Sequence, residues 1–73
     1  MKLHSFYTET PKKGSVFIAL YDDGSGANLF NRDNAGDYRN AEGEILSQDW
    51  FLDAGYIDFA YLPTNYKLFY ENT

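Results

Sequence analysis

The chain contains no cysteine. Disulfide cross-links, thiolate metal sites and a cysteine nucleophile are therefore excluded. It holds one histidine, His4, so a zinc site lacks its usual set of nitrogen and sulfur ligands. His4 reads as a surface or half-buried strand residue. Only six Lys and Arg stand against eleven Asp and Glu, for a net charge of −5. That balance disfavours direct binding to nucleic acid or to an anionic membrane. The longest apolar run, Val16 to Tyr21, is far short of the roughly 20 residues that span a bilayer. No cationic, apolar segment of the secretory type opens the chain, and a cytoplasmic location is expected.

What the chain has in abundance is acid and aromatic rings. Nine of its acidic residues lie between Asp22 and Asp58, opposed there only by Arg32 and Arg39. Fourteen of the 73 residues are aromatic, seven of them Tyr. Seventy-three residues make one compact domain, 1–73. A chain this short buries only about 60% of its unfolded surface, so its stability margin is thin. Large aromatic side chains, each burying roughly 150–250 Å², are the obvious compensation. Homodimerisation is a second route.

The pattern along the chain is mainly that of strands and turns. Leu3 to Tyr7 alternates loosely and reads as a strand. Thr10-Pro11-Lys12-Lys13-Gly14 reads as a turn, and Ser15 to Tyr21 as the strongest strand, apolar enough to be central. Asp22-Asp23-Gly24-Ser25-Gly26 is a hairpin turn signal, because Asp-Gly supplies a positive φ cheaply. Ala27 to Asn31 returns as a strand. Residues Arg32 to Gly43 are polar and read as a long loop or a wide, irregular hairpin. For Glu44 to Ala54 two readings stay open: a strand, or a short helix capped by Ser47 and ended by Gly55. Tyr56 to Leu62 alternates as a strand, Pro63-Thr64-Asn65 is a turn, and Tyr66 to Tyr70 would be a last strand. The expected fold is mainly β, a twisted antiparallel sheet of four to five strands. A short helix around residues 47–54 would make it a small α+β fold. Core packing is expected for Phe6, Phe17, Phe30, Trp50, Phe51, Phe59 and Phe69.

None of the residues that carry chemistry forms a catalytic constellation. Ser5, Ser15, Ser25 and Ser47 lack a nucleophile-elbow context. Residues Asn31 to Glu42 match a calcium loop at Asn31, Asp33, Gly36 and Glu42, but Ala35 occupies a ligand position; a solvated acidic loop is the better reading. Adjacent acids such as Asp22/Asp23 and Glu42/Glu44 have no pocket signature for acid–base work. Gly24-x-Gly26 lacks the further Gly and the following helix of a dinucleotide fingerprint. No enzymatic activity, metal or cofactor is expected. Binding is. A sheet this small cannot bury all seven Tyr, and Tyr is favoured at interface hot spots. Tyr38 and Tyr56, inside the acidic stretch, are the expected anchors. Asp22, Asp23, Asp33, Asp37, Glu42, Glu44, Asp49 and Asp53 are the expected charged contacts.

The layout resembles a family of short phage and prophage proteins of uncharacterised function. The shared pattern is an aromatic (Phe6), a Pro-x-x-Gly turn (Pro11 to Gly14), an apolar strand (Val16 to Leu20), an Asp-Gly hairpin (Asp23-Gly24) and a strand running into Leu-Pro (Ile57 to Pro63). Where that family carries Trp near both ends, this chain has Phe6 and Phe59 or Tyr61. In size and acidity the chain is also similar in type to phage inhibitors of bacterial defence, such as anti-CRISPR and DNA-mimic proteins. The resemblance implies a host protein with a basic surface as partner, blocked by occupation of a nucleic-acid groove. An alternative is small-ligand binding, for example a sponge for a signalling nucleotide formed at a dimer interface, with a backbone or cationic phosphate clamp from Lys12, Lys13 or Arg39. A structural accessory subunit is a third possibility.

Overall fold

In the computed structural model, which describes residues 2–63, six strands form one antiparallel sheet with a short helix on one face. The strands are β1 (His4–Ser5), β2 (Ser15–Tyr21), β3 (Ala27–Arg32), β4 (Tyr38–Asn40), β5 (Ile45–Leu46) and β6 (Tyr56–Tyr61), and α1 is Gln48–Asp53. Their order across the sheet is β1-β6-β2-β3-β4-β5. The apolar β2 lies between β6 and β3, as its composition requires: a strand with neighbours on both sides and packing on its faces needs apolar residues at nearly every position.

The register sorts the side chains. Phe17 faces Phe30, Ala19 faces Phe59 and Arg32 faces Tyr38, so these residues share one side of the sheet. On that side Phe6, Phe17, Ala19, Phe30, Tyr38, Phe51, Tyr56 and Phe59 form the core, with Trp50, Tyr21 and Tyr61 packed against it. Phe17, Phe51 and Phe59 have no exposed surface. Rings meet edge-to-face or stacked, as in Phe30–Phe51 at 5.0 Å and Phe6–Phe51 at 5.0 Å, geometries in which ring quadrupoles attract. A domain without disulfides thus obtains its core from aromatics. Val16, Asn31 and Ala60 are buried on the other side of the sheet.

Several elements differ from expectation. The strand over Leu3 to Tyr7 contracts to His4–Ser5, because Phe6 drops into the core and the chain turns, Glu9 N–H donating to the Ser5 carbonyl. Of the two readings of Arg32 to Gly43, the hairpin holds and the long loop does not: β4 pairs with β3, and β5 with β4. The sheet therefore has six strands, not four or five. Arg32 makes this possible. Its guanidinium donates to the carbonyls of Gly36 and Pro11 and lies 4.9 Å above the Tyr38 ring, tying two turns to the core. Residues 44–54 resolve as a two-residue strand followed by the helix; the Ser47 Oγ accepts from the Trp50 N–H and caps it. Gly24 takes φ +71° in the β2–β3 turn, the conformation its Asp-Gly context predicts. The expected turn from Pro63, the strand Tyr66 to Tyr70 and the core residue Phe69 lie at or beyond the end of the described residues.

Candidate functional site

The fold distributes the acidic stretch over three turns, α1 and, at Asp58, β6. Asp22 and Asp23 sit in the β2–β3 turn, both exposed. The Asp22 N–H donates to the Gly55 carbonyl at 3.4 Å, which brings the end of α1, with Asp53, beside that turn. Glu42 and Glu44 sit in the β4–β5 turn, and Asp49 is exposed on α1. Asp33 and Asp37 sit in the β3–β4 turn at the other end of β3.

These carboxylates are not equivalent. Asp33 is half-buried and bonded by the Arg39 Nε at 3.3 Å. Burial pushes its carboxyl up, but the Asp37 N–H, the Arg39 guanidinium and the Gly36 N–H together hold it below the ordinary carboxylate value. Asp33 therefore acts as a structural anchor of its turn, not as a free contact. Glu44 is committed to the Asn40 amide at 2.8 Å. Asp37 is exposed but shares its turn with Arg32, and a side chain at Gly36 would touch Lys13 and Arg32. Bonds from the side chain and backbone of Ser25 hold Asp23 below its ordinary value, so it is ionised at neutral pH. The carboxylates of Asp22, Asp37, Glu42, Asp49 and Asp53 are exposed and have no bonding partner among the described residues.

Tyr38 and Tyr56 are not surface anchors. Each is 3% exposed. Tyr38 points into the core because its register partners, Arg32 and Leu46, place it on the α1 side of the sheet. Tyr56 precedes the irregularity opposite Leu20/Tyr21 and packs under Trp50. Burial raises both phenols above their ordinary value; at Tyr56 a hydrogen bond donated to Tyr21 adds to the rise and one accepted from Asn28 opposes it. Of the other tyrosines, Tyr7 is exposed, Tyr21 and Tyr61 are half-buried, and Tyr66 and Tyr70 lie outside the described residues.

The rings that do reach the surface of the acidic region are Tyr21 and Trp50, joined through Tyr56. Tyr21 stacks on Tyr56 at 4.3 Å, and Trp50 lies 5.8 Å from Tyr56. Two grooves open on this strip. One, of about 480 Å³, is lined by Asn28, Leu29, Phe30, Asn40, Ala41, Glu42, Trp50 and Tyr56. The other, of about 410 Å³, is lined by Tyr21, Asp22, Asp23, Ser25 and Gly55. Neither is lined by a Lys or Arg. Asn28, Asn40, Tyr21 and Trp50 were not foreseen as site residues. The only local cue was Asn40, whose spacing to Glu42 and Glu44 is that of an Asx turn.

The cations collect elsewhere. Lys12 and Lys13 line a smaller cavity of about 260 Å³ with Ser15, Tyr61 and Pro63. Arg39 does not join them, being bonded to Asp33 and to the Gly43 carbonyl. No group of three His, Asp or Glu among the described residues is arranged to hold a metal ion, and no helix there is long and apolar enough to cross a membrane. Comparison of the chain with protein-family models, with curated proteins and with solved structures finds no significant match.

Proposed function

We propose that this chain is a small acidic binding protein of phage or mobile-element type, which inhibits a host nucleic-acid-handling protein by occupying its basic surface. The observation that carries this reading is the pairing of exposed carboxylates with ring surface. Asp22, Asp23 and Asp53 stand at one side of the Tyr21–Tyr56–Trp50 strip and Glu42 at the other, with the two grooves between. Asp33, Asp37 and Glu44 leave the proposed contact set, and Tyr38 and Tyr56 support it from beneath. Charge sets encounter rate and orientation, while the rings supply desolvated area. Occupation of a groove needs no catalytic group.

The test uses the immobilised chain to capture partners from a bacterial lysate, followed by binding of the purified partner. Duplex DNA or RNA should displace the chain, and affinity should fall steeply between about 50 and about 200 mM salt, as expected where charge pairs carry the encounter. The triple change Asp22→Asn, Asp23→Asn and Asp53→Asn should slow association by about tenfold. Binding that is indifferent to both salt and nucleic acid would sink the proposal.

A further inference from the structure

The larger groove has a hydrogen-bonding character that narrows what it can hold. Its walls are the rings of Trp50, Phe30 and Tyr56, and its polar side chains are Asn28, Asn40 and Glu42. The Asn40 amide is engaged at both ends. Its Oδ1 accepts from the N–H groups of Glu42 and Glu44, each at 3.0 Å, and its Nδ2 donates to Glu44. Those bonds, with Gly43 at φ +91°, fix the turn that carries Glu42. Asn28 donates one Nδ2 hydrogen to the Tyr56 Oη at 2.6 Å, which leaves its Oδ1 as an acceptor and its second N–H as a donor. The Glu42 carboxylate has no partner among the described residues.

The only charged group lining the groove is the Glu42 carboxylate, and it and the Asn28 Oδ1 stand as acceptors beside aromatic surface, with a second N–H left on each amide. A matching ligand must bring donors, positive charge and a flat body. Arginine has all three: five N–H donors, no acceptor, a permanent charge and a plane that stacks on rings. Lysine brings charge without the plane, and a neutral amide brings a plane without the charge. A groove of about 480 Å³ is within the usual range for small-ligand pockets. We propose that this groove takes an arginine side chain presented by the partner, its guanidinium shared between Glu42 and the Asn28 Oδ1 and its plane against Trp50. This rests on the reading of the partner as basic, and it names the residue that the partner supplies.

Trp50 is the single tryptophan of the chain, so its emission reports on the groove directly. The full chain is titrated with the capped tripeptide Gly-Arg-Gly, and with Gly-Lys-Gly and Gly-citrulline-Gly, the last having nearly the arginine shape without its charge. The expected result is a saturable change with arginine, binding about threefold weaker or more with lysine, and no saturation with citrulline. Glu42→Gln should weaken the arginine peptide by at least about threefold, whereas Asp37→Asn, in the β3–β4 turn, should leave it unchanged. Equal binding of arginine and citrulline, or an unaltered Glu42→Gln variant, overturns the proposal. If the arginine peptide fails while nucleic acid still displaces the chain from a captured partner, only the groove assignment falls. If the peptide binds while partner capture ignores salt and nucleic acid, only the inhibitory role falls.

Discussion

Tyr38 shows how far a single residue's role depends on its surroundings. Its ring is nearly enclosed, packing edge-on against Phe51 and Phe17 and lying under Arg32. Its hydroxyl is buried with no hydrogen-bond partner among the described residues. An unpaired buried hydroxyl costs folding free energy, because water would have satisfied it in the unfolded chain. Tyr38→Phe keeps the ring and removes that cost, so it should raise stability by about 1 kcal/mol, read as a higher denaturation midpoint at unchanged denaturant slope. A lower midpoint would mean that the hydroxyl is satisfied in solution. In sequence, Tyr38 and Tyr56 are ringed by acids and resemble exposed contacts. Tyrosine's amphipathic character suits core and interface alike, and only the β3–β4 register and the irregularity beside Tyr21 settle which it is. Glu42 and Glu44 are a similar case. They lie two residues apart in one turn, yet Asn40 commits Glu44 and leaves Glu42 open.

Among the elements, β2, the β2–β3 turn, β3 and β6 were legible because each carries its own local signal: apolar β-branched and aromatic runs between Asp-Gly or Gly-rich punctuation. Strands β4 and β5 were not. They are three and two residues long, too short for any alternation to register, and they exist because Arg32 and Asn40 staple their turns. The helix was half legible. Its cap and its stop were visible at Ser47 and Gly55, but six residues are too few for helical periodicity to outweigh a strand reading. So short a helix depends on its ends and on Phe51 in the core. Ser47→Ala removes the acceptor for the Trp50 N–H at 3.2 Å and should cost about 1 kcal/mol. In a domain of this size that lowers Tm by about 4–8 °C, measurable by thermal denaturation. Because α1 carries Trp50 and Asp53, the same change should also loosen the strip on which the two grooves open.

For the whole molecule, the shifted groups predict a stability plateau with two edges. The carboxyls of Asp23 and Asp33 lie below their ordinary value in the folded state. Their contribution is present above that value and is lost as pH falls through the folded one, when the folded chain must take up protons it resists. The phenols of Tyr38 and Tyr56 lie above theirs. Their contribution is present below pH about 10 and is lost as pH rises beyond it, since the unfolded chain ionises first. Tm measured against pH should therefore fall below pH about 4 and again above about 10. Tyr38→Phe should soften the alkaline edge, and a flat alkaline limb in the parent chain would contradict the burial of these rings. The sequence by itself determined the mainly β class, the central place of β2, the aromatic nature of the core and the excess of acid, because composition and two-residue alternation act locally. The tertiary structure alone decided which carboxylates remain open, which tyrosines are core and that Trp50 and Glu42 line one groove. Those are matters of register and turn closure between residues far apart in the chain, and no local pattern encodes them.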